Sequence, residues 1–220
     1  MDRNQELWSG EVGTKYAQSA QLNHKEVDAL WWPMLCQSRL EIDKKALKDI
    51  PKDAHILEVG CGVGNQLNCL QELGFYNLWG CDINETAVKI CRERGFPADC
   101  CCANRLPYID ESFDMIYTSA LLIHVPQAIS GVVRKEIARV ARHWIYGYEY
   151  YSPEWVSRSS VIGGLYPQGV PEFTFKAPFA DLYLKNNPEW SLVVRERIQH
   201  QDGSNNEDEA FLLKRIEHEL

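Results

Sequence analysis

The chain has 220 residues, of which 45% are hydrophobic and 25% charged, with a formal net charge of −8. That is the composition of one globular domain with a single substantial core, and no apolar run approaches a membrane span. The acidic balance, without a dense Lys and Arg run, argues against a nucleic-acid partner, because such binding rests on neutralising phosphates.

The opening, Met1 to Glu6, lacks the basic and apolar regions of a signal peptide, so the cytoplasm is the expected compartment. Residues 7–16 (Leu-Trp-Ser-Gly-Glu-Val-Gly-Thr-Lys-Tyr) are aromatic and glycine-punctuated and read as a loop or short helical turn. This stretch is either a lid, with Trp8 and Tyr16 facing a ligand, or an arm packed on the core. Residues 23–49 place Val27, Leu30, Trp31, Leu35, Leu40, Ile42 and Leu47 at helical spacing. Pro33 predicts a break, hence two helices, 23–32 and 33–49. Trp31 and Trp32 read as core.

The strongest signal follows. Ile56, Leu57 and Val59 form a short apolar run that reads as a buried parallel strand. Gly60, Gly62 and Gly64 follow at alternate positions, allowing a tight turn and close approach of backbone to a ligand. Leu67, Leu70 and Leu73 then recur at helical spacing. Strand, glycine turn and helix make the nucleotide-binding half of a βαβ unit. A second strand, 76–81, ends at Asp82, whose carboxylate can accept both hydroxyls of a ribose. The third glycine comes one residue too early for a dinucleotide fingerprint, since Asn65 holds that place. The spacing favours S-adenosylmethionine over NAD.

A helix over 84–94 follows, with Asn84 as N-cap and Gly95 and Pro97 as stop signals. A third strand is expected at 98–102, and residues 106–119 read as a turn and then a fourth strand. His124 stands just after that strand and either orients a substrate, takes a proton, or is structural. A helix over 126–142 leads to a fifth strand, 144–149, which delivers Tyr148, Glu149, Tyr150 and Tyr151 to the carboxyl edge of the sheet. There they form either a binding rim or a polar strand end. Residues 152–171, with Ser157, Ser159, Ser160, Gly163, Gly164 and Gly169, read as a long and therefore functional loop. An extended piece at 173–177, a helix at 179–185 and two late strands, 190–198 and 209–215, complete the pattern.

Eight cysteines are scattered through predicted strands and helices. Cys100, Cys101 and Cys102 are consecutive, so alternate side chains leave opposite faces of a strand. No C-x-x-C pair or nearby His completes a metal set, so no metal is expected, and the thiols read as reduced apolar fillers.

The form Glu58-Val59-Gly60-Cys61-Gly62-Val63-Gly64, with Asp82 beyond it, resembles motif I of the class I S-adenosylmethionine-dependent methyltransferases. Residues 106–116 (Leu-Pro-Tyr-Ile-Asp-Glu-Ser-Phe-Asp-Met-Ile) resemble another segment of that family. The opening residues 7–16, with looser matches at 175–179, 187–193 and 208–214, resemble the pseudaminic acid biosynthesis-associated methylases. The resemblance implies a Rossmann-like α/β three-layer sandwich, with a mostly parallel seven-stranded sheet closed by an antiparallel C-terminal hairpin. Residues 1–50 would be a lid or helical extension, and 51–220 the cofactor domain.

It also implies roles. Glu58 would anchor the methionyl amine, and Gly60, Cys61, Gly62 and Gly64 would carry the methionine and ribose. Asp82 would take the ribose hydroxyls and Ile83 would pack on adenine. Cys102, Ala103 and Asn104 stand where the family contacts the adenine edge, with Asp99 as a rival, and Ser119 completes the cofactor set. Tyr16, Tyr117, His124 and Glu149 are the candidate acceptor contacts, His124 being the first choice of base for a hydroxyl acceptor. The expected acceptor is a small polar molecule, sugar-like or amino-bearing. No nucleic acid or membrane partner is expected, and a homodimer is left open. An RNA or protein methyltransferase and a non-catalytic cofactor-binding module are the alternatives.

Overall fold

Ile56 and Leu57 leave strand β1 (Ile56–Val59) on opposite faces, and both are fully buried. A strand buried on both faces needs a layer of helices on each. The computed structural model, which describes residues 2–159 and 173–216, shows that arrangement. The other central strands are β2 (Leu78–Asp82), β3 (Ala98–Cys100), β4 (Phe113–Ser119), β5 (Ala141–Tyr151), β8 (Trp190–Gln199) and β9 (Glu207–Arg215). Their order is β3-β2-β1-β4-β5-β9-β8. The first five run parallel, and β9 is antiparallel to both β5 and β8. The expected seven-stranded sheet with its antiparallel hairpin is present.

Alternation along the strands sorts the core into two layers. Ile56, Met115, Tyr146 and Leu212 face α3 (His24–Leu35), α4 (Arg39–Ala46), α5 (Asn65–Glu72) and α6 (Glu85–Glu93). Leu57, Ile116, Ile145 and Phe211 face α7 (Gln127–Val140) and α8 (Phe179–Asn186). Among the described residues, no helix is long and apolar enough to cross a membrane.

The N-terminal third departs from expectation in two ways. Residues 3–19 form two helices, α1 (Arg3–Ser9) and α2 (Glu11–Ser19), in place of the loop or short helical turn expected over 7–16. Asp2 starts the first, its side chain accepting from the amides of Asn4 and Gln5 while Gln5 returns a bond to the Asp2 amide. Pro33 does not break α3, because it lies in the last turn and removes a single ladder bond. The break comes at Cys36, which is left-handed at φ 51° and donates its amide to the Trp32 carbonyl at 2.8 Å. Ser38 then caps α4 and donates to Asp28 at 2.6 Å. Trp31 packs against the core, but Trp32 is 54% exposed, contrary to the reading of both as core.

Part of the long loop is also ordered. Strand β6 (Val156–Ser159) pairs antiparallel with β7 (Phe173–Lys176) as a separate ribbon. The expectation for Ser160, Gly163, Gly164 and Gly169 lies outside the described residues.

Between α4 and the sheet sits a buried polar cluster. The Arg39 and Asp43 side chains pair directly, both at most 1% exposed. Asp43 also accepts from the Tyr117 hydroxyl at 2.7 Å and the Tyr146 hydroxyl at 2.5 Å. The Arg39 guanidinium lies 3.7 Å from the Tyr148 ring centre, and Tyr148 in turn donates to Asp208 at 2.7 Å. Buried charges survive only when partnered in this way.

Candidate active site

At the carboxyl ends of β1, β2, β4 and β5 lies a cavity of about 480 Å³, within the range of small-molecule sites. Its floor is the glycine turn from β1 to α5. Gly60 has φ 76°, and a Cβ there would stand 2.7 Å from Leu121 Cδ1. Gly62 has φ 51°, and a Cβ there would meet nothing within 4 Å, so its backbone is open to a ligand. Gly64 differs from expectation. It does not line the cavity, and a Cβ there would meet Cys91 Sγ at 3.0 Å and Phe96 at 3.2 Å. Its place is to bring α5 close to its neighbours, while Cys61 and Gly62 line the floor.

Asp82 closes β2 on the same wall. One carboxylate oxygen accepts from the Gly62 amide at 2.9 Å, the other from the Asn84 amide at 2.8 Å. Burial raises its pKa against the pull of those two amides. The glycine turn and the aspartate are thus one preset unit. Ile83, Cys101, Cys102 and Ala103 continue the wall, and Gln5 reaches Cys102 Sγ at 3.1 Å. Asn104 is not on the wall, because the chain turns away after Ala103. The rival Asp99 is also off it, held by the Trp79 indole at 3.1 Å and the Tyr108 hydroxyl at 3.0 Å.

Glu58, next to last in β1, is on the cavity wall, 2% exposed, and its Oε2 has no hydrogen-bond partner. Burial holds its carboxyl well above the usual range. An orphaned buried oxygen of this kind calls for a donor from a ligand. With the open backbone at Gly62 and the preset carboxylate of Asp82, it makes a fit for the amine, the body and the ribose of S-adenosylmethionine.

Helices α1 and α2 cover the cavity. Asn84 Nδ2 donates to the Trp8 carbonyl at 2.8 Å, while its Oδ1 caps α6 through the Ala87 amide. The cover packs so closely that a Cβ on Gly13 would stand 1.9 Å from that carbonyl. Trp8 and Tyr16 both line the cavity, their rings meeting edge-on with centres 5.7 Å apart. Burial raises the Tyr16 hydroxyl, and Asp82 adds to the effect. His124 lines the cavity beside Trp8, ring centres 4.7 Å apart, and burial lowers its imidazole to about 4. Asn4 fixes its backbone, donating to the His124 carbonyl at 2.7 Å.

Two expected acceptor contacts are elsewhere. Tyr117 is fully buried in the Arg39–Asp43 cluster, because its position on β4 points under the sheet toward α4. Ser119, two residues on, does reach the cavity, and Arg39 lies 3.4 Å from its hydroxyl. Glu149 points to the opposite face and accepts from the amides of Leu121, Leu122 and Ile123, the start of the turn that carries His124. It positions that turn and does not line the cavity.

Sequence reasoning missed one wall. Val27, Leu30, Trp31 and Met34 form a single stripe of α3, all on the cavity; of the four residues expected at the carboxyl edge of β5, Tyr150 lines it. The spacing was visible as an amphipathic helix, but nothing local told a core stripe from a cavity wall.

Residues 57–143 match a methyltransferase domain family. The solved magnesium protoporphyrin IX methyltransferase ChlM from Synechocystis PCC 6803 superposes with a TM-score of 0.67, at 14% identity over 98% of each chain. The fold is that of the class I S-adenosylmethionine-dependent methyltransferases. S-adenosylmethionine is the cofactor of such a domain, and the ChlM structure holds it bound. The cyclase SpnF superposes equally well, with a TM-score of 0.67 at 15% identity over 99% of this chain and 98% of that one. The methyltransferase fold therefore does not by itself fix the reaction. Among curated proteins, the tRNA (carboxymethyluridine(34)-5-O)-methyltransferase ALKBH8 of Macaca fascicularis is 35% identical over 97 residues, 44% of this chain. The chain spans only 14% of that protein's length. The family match ends short of the opening and closing motifs that resemble the pseudaminic acid-associated methylases.

Proposed function

We propose that this chain transfers the methyl group of S-adenosylmethionine to a small molecule rather than to RNA. One observation carries the reading. Among the described residues, the cavity that fits the cofactor is lined by three carboxylates, Asp2, Glu58 and Asp82, and by no Lys or Arg. A nucleic-acid acceptor would bring phosphates to a cavity whose lining offers no Lys or Arg to neutralise them. All eight cysteines are free, which supports a reducing cytoplasmic setting.

Bound S-adenosylmethionine supplies a methyl group activated by its sulfonium. In this reading Glu58 takes the methionyl amine, Gly60, Cys61 and Gly62 leave room for the ligand backbone, and Asp82 receives the ribose hydroxyls. Ile83, Cys102 and Ala103 border the adenine, and Ser119 sits where the acceptor space begins. Trp8, Tyr16 and the α1–α2 cover exclude water, and the rate comes chiefly from alignment in a dry cavity. His124, kept neutral by burial, borders the reacting region from the other side.

The test is a screen of small molecules and of transfer RNA with methyl-labelled donor, read by mass spectrometry. Label on small molecules only is the expected result, and label on RNA overturns the reading.

A further inference from the structure

The strand order divides the cavity. Gly60, Gly62 and Asp82 place the cofactor over β1 and β2, so the acceptor is left the carboxyl ends of β4 and β5. Helix α3 walls that side. Its positions 27, 30, 31 and 34 fall on one face, and all four side chains are apolar or aromatic. The helix is held in place, since the His24 amide donates to Asn68 at 2.9 Å and the Met34 carbonyl accepts from the Gln201 amide at 2.7 Å. Trp31 stands edge-on to Tyr148 with ring centres 6.5 Å apart, so it offers a fixed surface. Tyr150 lines the same end of the cavity.

Charge narrows the choice further. No Lys or Arg lines the cavity among the described residues, and residues 160–172 contain neither in sequence. Three buried side-chain oxygens on the wall have no hydrogen-bond partner, Asp2 Oδ2, Glu58 Oε2 and Gln66 Oε1. A carboxylate or phosphate brought here would lose its water and find no Lys or Arg to pair with.

We infer that the acceptor is a nitrogen compound with a flat apolar body and no carboxylate or phosphate, seated between the α3 stripe and Tyr150. The inference rests on the methyl-transfer reading above. The nitrogen lone pair forms the new bond to the methyl carbon, the carbon–sulfur bond breaks with its pair going to sulfur, and the nitrogen then releases a proton to solvent. A hydroxyl acceptor would need a strong base, and burial, which lowers the His124 imidazole to about 4, makes it a weak one. The amine enters in its neutral form, having left its proton in solvent, so its lone pair is free for the transfer.

The experiment uses the full chain. Calorimetry with S-adenosylhomocysteine comes first, and no heat there sinks the methyl-transfer reading itself. The loaded protein is then titrated with aromatic amines and their carboxylated counterparts, tryptamine against indole-3-acetate among them, and with glucosamine. The aromatic amines should bind at least tenfold more tightly than either, and labelled methyl should appear on nitrogen. Leu30 is 39% exposed, so Leu30→Lys should fold normally. It should weaken amine binding at least tenfold while leaving S-adenosylhomocysteine affinity unchanged. Preference for the carboxylated compounds or the sugar, or no aromatic amine bound by loaded protein, overturns the inference.

Discussion

The Glu149 carboxylate at the end of β5 accepts the Leu122 amide at 3.0 Å, tying the sheet to the turn that presents His124. Burial pushes this carboxyl up to about 8, against the pull of the amides. Its unfolded value is about 4.3. The folded state therefore holds the extra proton between those values. Stability from this group is full below about pH 4.3 and is lost as pH rises toward 8. Glu149→Gln should flatten the decline across about pH 5–8 by up to ~1.4 kcal/mol per pH unit. Urea midpoints of both proteins at stepped pH measure the difference, and parallel curves would refute it.

Asp82 holds the Gly62 and Asn84 amides with separate oxygens. Asp82→Ala removes both bonds and the carboxylate offered to ribose. Charge-assisted bonds contribute about 1.5–3 kcal/mol each, so affinity for S-adenosylhomocysteine should fall more than about tenfold. Calorimetry on folded variant protein reads this directly. Unchanged affinity would remove Asp82 from the site.

Gly60 and Gly62 should respond differently to alanine. Both pay the left-handed backbone strain of roughly 1–2 kcal/mol. Gly60→Ala also collides with Leu121, whereas Gly62→Ala enters open space. The first should lose the larger part of its thermal stability. The second should stay folded and lose cofactor binding, because the new methyl occupies ligand space. Melting curves paired with calorimetry separate the two outcomes.

Asn84 has two jobs, capping α6 through its oxygen and holding the Trp8 carbonyl through its nitrogen. Asn84→Asp keeps the cap and loses the donor. The cover should loosen by about 0.5–1.5 kcal/mol, the net contribution of that hydrogen bond. Hydrogen exchange should quicken in residues 3–19 and stay unchanged in β1 and β4. Equal quickening everywhere would mean that the bond supports the whole fold.

The central sheet was legible because buried parallel strands and glycine turns carry strong local signals. Asp82 was legible for the same reason, since it ends a strand at a set distance from the turn. Glu149 was misplaced because a strand residue's face is set by register, and Tyr117 because, on the same face as Ser119, it lies one pleat repeat deeper under the sheet. Ser119 lies two residues from Tyr117 and reaches the wall, where Tyr117 meets Asp43. Asn104 failed because the turn after β3 leaves the wall at Ala103. Pro33 misled because a proline matters less in a last turn than in mid-helix.

The wall formed by Val27, Leu30, Trp31 and Met34 belongs to a helix that supplies neither a strand nor any part of the glycine turn. On the proposed reading, donor recognition is built into the scaffold, while the surface facing its companion molecule rides on an accessory piece. Such a division of labour makes selectivity evolvable: exchanges along one helical stripe can retune what is accepted while the parts that hold the adenosyl group stay as they are.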